Sequence, residues 1–196
     1  MKKRKKVLML EAVCHDASLE EYIKIESHIK RVRALCKKLS KKFISAGIYV
    51  DCEILQKAAK FHDIAKFKNP KEHQKRTAVE PLLRPLIKKR KELNAVVMII
   101  EQHRKDFSPS SYVVESAILR LCDNIDKFNK ALNKKKTKKI LEEREKGIDA
   151  IEKSLGYFRD EKYSKDFKKK GLKILKTFAF KQSSKINHEI WNKILG

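Results

Sequence analysis

Apolar residues recur along most of this chain at spacings of three, four and seven, which is the period of an amphipathic α-helix. Val32, Leu35 and Leu39, for example, follow His28 at distances of four, seven and eleven residues. Alternation of apolar and polar residues, typical of half-buried strands, is scarce. Leu, Ile, Lys and Glu dominate, and all four are compatible with helix. The pattern predicts an all-α fold, a helical bundle with additional C-terminal helices.

Turn-forming residues divide this pattern into separate helices. Breaks are predicted at residues 47–50, 68–72, 107–111, 133–137, 156–165 and 182–185. None of these is long enough to be a flexible linker between domains, and 196 residues suffice for one sizeable core. We therefore predict a basic N-terminal segment over residues 1–17, a core domain over 18–130 and a helical extension over 131–196 that packs on the core.

Four of the apolar stripes end in a residue that can bind a metal ion. His28, His62, His103 and Asp123 each share a helix face with apolar residues, and Asp63 directly follows His62. Taken singly, each histidine is more often a hydrogen-bonded core residue than a ligand. Taken together, burying these groups without partners would cost several kcal/mol, comparable with the whole stability of a domain. A shared divalent metal would remove that cost.

The order of these residues resembles that of the HD superfamily of metal-dependent phosphohydrolases. The pattern H, HD, D is matched by His28, by His62 with Asp63, and by Asp123, over about residues 20 to 130. The resemblance implies an all-helical HD-domain bundle and a divalent metal ion held by these four residues. It also implies hydrolysis of a phosphate ester through a metal-activated water.

Two further histidines resemble the additional ligands of the binuclear branch of this superfamily. In that branch His73 and His103 would hold a second ion and Asp63 would bridge the two metals. Gln102 stands where many members have the first histidine of a doublet, so a third metal is not expected. The alternative for His73 is an exposed histidine in a basic loop. We expect one or two ions of manganese, iron or another transition metal rather than magnesium.

Two cations and a carboxylate complete the predicted site. Asp63 is expected to be catalytic together with Lys66 and Arg104, whose positive charges could hold a substrate phosphate. For both cations the alternative is a solvated surface charge. Asp126, one turn after Asp123, is either an acceptor for a ligand histidine or a surface charge.

The net charge of +24 changes the picture of possible partners. Such a field attracts polyanions, so nucleic acid is a possible partner, although a lysine-rich surface without a specific role would look the same. No apolar stretch is long enough to span a membrane. The apolar run after the basic N-terminus is too short for a secretory signal, and the four cysteines lack metal-finger spacing. We expect a cytoplasmic protein.

Three functions remain open at this point. The first, which we favour, is a phosphohydrolase acting on a phosphate-containing small molecule such as a nucleotide. The second is a metal-dependent nuclease or phosphodiesterase acting on single-stranded nucleic acid. The third is a di-iron oxygenase or a non-catalytic basic binding module built on the same scaffold.

Overall fold

A computed structural model describes residues 19–66, 68, 70–103, 111–132 and 164–182 of the chain. Within these ranges the protein forms six α-helices and no strand, so the predicted all-α fold is confirmed. The helices are α1 (Leu19–Ser45), α2 (Cys52–Phe61), α3 (Arg76–Leu83), α4 (Arg90–Gln102), α5 (Val113–Leu132) and α6 (Lys165–Gln182).

The turn between α1 and α2 follows directly from its sequence, and the predicted break at residues 47–50 is confirmed. Gly47 has a φ of 75°, the left-handed conformation that commonly ends a helix and that glycine adopts without strain. Asp51 then caps α2, because its side chain accepts a hydrogen bond of 3.0 Å from the backbone N–H of Ile54. The N–H of Asp51 donates to Glu115 at 2.7 Å, which ties this turn to the first turn of α5.

One hydrophobic core joins the helices. The apolar stripe of α1 is fully buried through Val32, Cys36, Leu39 and Phe43, and it faces α2 and α5. Helix α6, far along the chain, adds Leu175, Phe178 and Ala179 to the same core cluster. The long helix α1 therefore serves as the central support against which the other elements are positioned.

Two boundaries differ from the sequence prediction. The helix that was expected to carry both His62 and Asp63 ends at Phe61, and residues 62–75 connect it to α3 through turns. The backbone here makes bonds between residues three apart, such as Ile64 N–H to the Phe61 carbonyl at 2.9 Å, and these tighten the chain out of the α-helix.

The second difference is a break over residues 84–89 that was not predicted. Pro85 lacks the N–H that would continue the hydrogen bonds of the helix, and α3 ends at Leu83, two residues earlier.

Several predictions concern residues that the structure does not describe. The basic segment over residues 1–17, Arg104, and residues 133–163 and 183–196 of the extension lie outside the described ranges. Among the helices that are described, none is long and apolar enough to cross a membrane.

Candidate metal centre

The six predicted ligands come from five separate parts of the fold. His28 lies on α1 and Asp123 on α5, whereas the other four lie at or beyond helix ends: His62 and Asp63 follow α2, His73 precedes α3, and His103 follows α4. All but His28 are buried, and the side chain of His28 is only 12% exposed. His73 is 8% exposed, so the alternative of an exposed loop histidine is wrong.

Three of these residues form a compact group that could hold a metal ion. One ligand atom each from His28, His62 and Asp123 lies within 4.8 Å of the others. The Nε2 atom of His28 is 3.2 Å from Nε2 of His62 and 3.2 Å from Oδ1 of Asp123. Asp63 adds a fourth atom, since its Oδ2 is 3.7 Å from His28 Nε2 and 3.8 Å from His62 Nε2.

The other oxygen of Asp63 faces a second group of ligands. Its Oδ1 lies 3.2 Å from Nε2 of His73, away from the atoms that Oδ2 approaches. The ring of His103 lies edge-on to His62, with 5.7 Å between the ring centroids. Asp63 therefore has Oδ2 near the imidazoles of His28 and His62 and Oδ1 near the imidazole of His73.

The backbone determines which nitrogen of each imidazole faces the site. The Nδ1 atoms of His62 and His73 lie 3.0 and 2.8 Å from the carbonyl oxygens of Ala59 and Pro70, three residues earlier. Nδ1 of His103 makes the same bond to the carbonyl of Ile100. A carbonyl only accepts, so each Nδ1 carries the hydrogen in the neutral ring and each Nε2 presents a lone pair.

His28 is oriented in the same way by a carboxylate. Its Nδ1 lies 2.7 Å from Oδ2 of Asp126, so Nε2 faces the site. Asp126 is 4% exposed, and the alternative of a surface charge is therefore wrong. Such a carboxylate behind a histidine fixes the ring orientation and makes the ligand more basic.

Some of the polar atoms that face the site have no hydrogen-bond partner among the described residues, although such atoms are normally satisfied when buried. They are His73 Nε2 and His103 Nε2. His73 Nε2 lies 3.2 Å from an Asp63 oxygen, and with Nδ1 donating to the Pro70 carbonyl, both atoms are acceptors in the neutral form of the ring. Acceptors crowded in this way repel each other unless a cation lies between them. The donor set of imidazole nitrogens and carboxylate oxygens therefore fits a divalent metal ion.

The two buried carboxylates are held in their charged form. Burial by itself raises the pKa of Asp63, but neighbouring His62 and Lys66 outweigh this and hold the pKa well below its usual value. Burial likewise opposes the ionisation of Asp123, and the ammonium of Lys127 and the bond to His28 bring its pKa below the usual range. Both groups are thus anionic ligands at neutral pH.

Three of the histidines differ in the direction in which the site shifts their pKa. Burial lowers the pKa of His103 to about 3 and also lowers the pKa of His62, so both rings are neutral and ready to coordinate. For His28, burial also favours the neutral ring, but hydrogen bonds to Asp123 and Asp126 raise the pKa to about 9. A metal ion that takes this position would therefore displace a proton from His28.

Three cations surround the centre, and two of them were not predicted from the sequence. Nζ of Lys66 is 2.7 Å from Asp63 Oδ2, and Nζ of Lys127 is 2.6 Å from Asp123 Oδ2. Arg31 holds both oxygens of Asp126, with Nε at 2.6 Å and Nη2 at 3.1 Å. The i, i+4 spacing of Asp123 and Lys127 is the feature of the sequence that could have revealed this pair.

The comparison with known families agrees with this geometry. The family model for the HD domain matches residues 25–128, just over half of the 196-residue chain. The chain belongs to the HD-domain family, an all-α family of metal-dependent phosphohydrolases whose members bind divalent metal ions. No curated protein and no solved structure matches the chain.

Proposed function

We propose that this protein is a divalent-metal phosphohydrolase that cleaves a phosphate ester of a nucleotide or a related compound. The observation that carries the proposal is the position of Asp63. Its Oδ2 lies 3.7 and 3.8 Å from Nε2 of His28 and His62, and its Oδ1 lies 3.2 Å from Nε2 of His73. In this assignment His28, His62, Asp63 and Asp123 would hold one ion, and Asp63, His73 and His103 would hold a second.

Each bound ion would supply Lewis acidity, which lowers the pKa of a water nucleophile and polarises the phosphoryl oxygen. The protein supplies the geometry. The bonds from Nδ1 to backbone carbonyls hold His62, His73 and His103 in one tautomer and one orientation before substrate arrives. The donor set also favours manganese, iron or another transition metal over magnesium, because imidazole suits those ions better.

Lys66 is placed to act on the substrate phosphate. Its ammonium contacts Asp63 Oδ2, the same oxygen that faces His28 and His62, so Lys66 and an ion share one acceptor. The side chain is 34% exposed and so can reach from the buried carboxylate to a phosphate oxygen. Arg104, the other predicted cation, lies outside the described residues.

The test is hydrolysis of bis(p-nitrophenyl) phosphate and p-nitrophenyl phosphate by protein loaded with manganese or iron. Wild type is expected to hydrolyse at least one ester, and Asp63→Asn to lose about a hundredfold or more of that activity. Asp166→Asn is the matched control, because Asp166 is exposed on α6 and should leave the rate unchanged. Equal rates in wild type and Asp63→Asn would overturn the assignment.

The same preparations separate the remaining alternatives. A redox-active absorption spectrum with iron and no ester hydrolysis would favour a di-iron oxygenase. No bound metal after reconstitution would favour a basic binding module.

A further inference from the structure

Two open cavities lie side by side along helix α1, next to the metal centre. The first, of about 510 Å³, lies between α1 and α5 and is lined by Arg31, Lys38, Asp126 and Lys130, among others. The second, of about 650 Å³, lies between α1 and α6, and Lys38, Lys41, Lys42 and Lys173 are among the residues that line it. Lys38 lines both cavities, and the two together are named the basic groove.

The basic groove is connected with the metal centre in two ways, through side-chain contacts and through a shared helix face. Arg31 contacts Asp126, and Asp126 in turn bonds the ring of His28. On α5, Asp123, Lys127 and Lys130 follow each other at i, i+4 and i+7, which places them on one helix face. That face therefore runs from a predicted metal ligand into the first cavity.

The lysines of the basic groove form no ion pair with an acidic side chain in the described part of the chain. They are Lys38, Lys41, Lys42, Lys130 and Lys173. Asp126, the acidic residue of the lining, already bonds His28 and Arg31.

Elsewhere on the same helix, lysines are paired. Lys24 and Lys30 contact Glu20 and Glu26 at 2.6 and 2.9 Å. The α1 lysines that line the groove thus differ from Lys24 and Lys30 in having no acidic partner among the described residues.

Another basic cavity of the described structure differs in this respect. It lies between α3 and α4 and has a volume of about 750 Å³. Its cations Arg76 and Arg84 are paired with Glu80 at 3.2 and 3.0 Å. Lys88 and Arg90 also line this cavity, so it is basic as well. The basic groove differs in containing Asp126, which bonds His28 of the metal centre, and this makes it the stronger candidate for an anionic ligand that reaches the site.

We infer that the basic groove binds a single strand of nucleic acid and leads its phosphodiester backbone to the metal centre. The binding stands by itself, whereas cleavage of the strand rests on the proposed function. From Arg31 to Lys42 the helix rises about 16 Å, which is longer than one nucleotide. Ala34, Leu35 and Ile174 add apolar surface between the cations, as bases and sugars require. A concave channel between helices suits a flexible strand better than a rigid duplex.

The test is the fluorescence anisotropy of a labelled twelve-residue oligothymidylate titrated with the full chain in EDTA, at several salt concentrations. EDTA removes metal and prevents hydrolysis, so the result does not depend on the metal centre. The groove variant is Lys38→Gln with Lys41→Gln and Lys42→Gln. The control variant is Lys30→Gln with Arg33→Gln and Lys37→Gln, which removes the same charge from the same helix outside both cavities.

Wild type and the control variant are expected to bind alike. The groove variant should bind about tenfold more weakly or worse. Its slope of log affinity against log salt should be smaller by about two, because each phosphate that a lysine no longer neutralises reduces the slope by about 0.7. Circular dichroism and melting temperature verify that the variants are folded. Lys41→Gln with Lys173→Gln, which changes both walls of the groove, should weaken binding less, in the same direction.

Equal weakening in the groove and control variants would overturn the inference, because it would mean that charge acts without a defined site. Competition by a duplex of the same length, or by thymidine monophosphate at equal phosphate concentration, as strong as that by the single strand would also overturn it. Intact oligonucleotide binding together with hydrolysis of neither bis(p-nitrophenyl) phosphate nor p-nitrophenyl phosphate would refute the proposed function and leave the groove assignment standing.

Discussion

Asp63 lies with its Oδ1 atom 3.2 Å from Nε2 of His73, across a turn of ten residues that follows helix α2. The contact brings together two acceptors, since Nδ1 of His73 is committed to the carbonyl of Pro70. Because Oδ2 of Asp63 faces His28 and His62 at the same time, this single carboxylate joins the two halves of the centre.

Asp126 positions His28, and removing its charge should weaken metal binding without unfolding the protein. In Asp126→Asn the bond to His28 Nδ1 is weakened and Arg31 loses its anionic partner. We expect manganese affinity to fall by about ten- to a hundredfold, the range typical of groups behind a metal ligand. Isothermal titration of the metal-free protein measures this, with Asp166→Asn as the control. An unchanged dissociation constant in Asp126→Asn would show that Asp126 has no part in orienting the ligand.

Lys127 is expected to act on the substrate as well as on Asp123. Its side chain is 48% exposed although its Nζ contacts a buried carboxylate, so the ammonium stands at the edge of the site. In Lys127→Met we expect kcat to fall by about ten- to a hundredfold, because charge that develops on the phosphate loses a stabilising cation. Lys57→Met is the control, since Lys57 also lies four residues after an acidic partner, Glu53, and contacts Glu92 at the end of α4 opposite to His103. If Lys127→Met bound metal more tightly and kept the same kcat, Lys127 would serve only to balance the charge of Asp123.

Glu115 should make the stability of the fold depend on pH. Burial raises the pKa of Glu115, although its bond to the N–H of Asp51 opposes the shift. Between the unfolded value of 4.5 and the higher folded value, the folded state keeps a proton that the unfolded state has lost. Above the folded pKa, Glu115 is charged in both states, and the buried charge therefore lowers the free energy of unfolding by its full amount. This destabilisation decreases as the pH falls toward 4.5. In Glu115→Gln this dependence disappears.

Urea denaturation of wild type and Glu115→Gln at several pH values checks this. Relative to wild type, the variant should gain more unfolding free energy at pH near 7 than at pH near 4.5. A difference between the two proteins that does not change with pH would show that Glu115 ionises alike in the folded and unfolded states.

Helix α6 should contribute to global stability, because its apolar face belongs to the core that α1 supports. Leu175 is fully buried, so Leu175→Ala should lower the free energy of unfolding by about 2–5 kcal/mol. Ile44, which is 49% exposed, provides the control, and Ile44→Ala should change the stability by less than about 1 kcal/mol. If Leu175→Ala and Ile44→Ala had equally small effects on the free energy of unfolding in chemical denaturation, α6 would not be part of the core.

The sequence predicted the all-α fold and the burial of His103 and Asp123, because both depend on one periodicity. His28, His103 and Asp123 stand on apolar stripes, and a residue on such a stripe must face the core. The end of α2 at Phe61 was missed, since a change from α-helix to turns depends on local bonds that the apolar pattern does not reveal.

The roles of Arg31 and Lys127 were missed for different reasons. Arg31 meets Asp126 across 95 residues of chain, and only the packing of α1 on α5 creates that pair. Lys127 pairs with Asp123 within its own helix, and the pair matters because Asp123 is buried. The sequence does not distinguish this pair from the many exposed charges around it.

The central claim is that Asp63 joins two metal positions, and the metal content of the purified protein tests it most directly. Elemental mass spectrometry would compare wild type, His73→Ala and Asp63→Ala after reconstitution with manganese or iron. We predict close to two ions per wild-type chain, about one in His73→Ala and fewer still in Asp63→Ala. A single ion in wild type that is unaffected by His73→Ala would contradict the account.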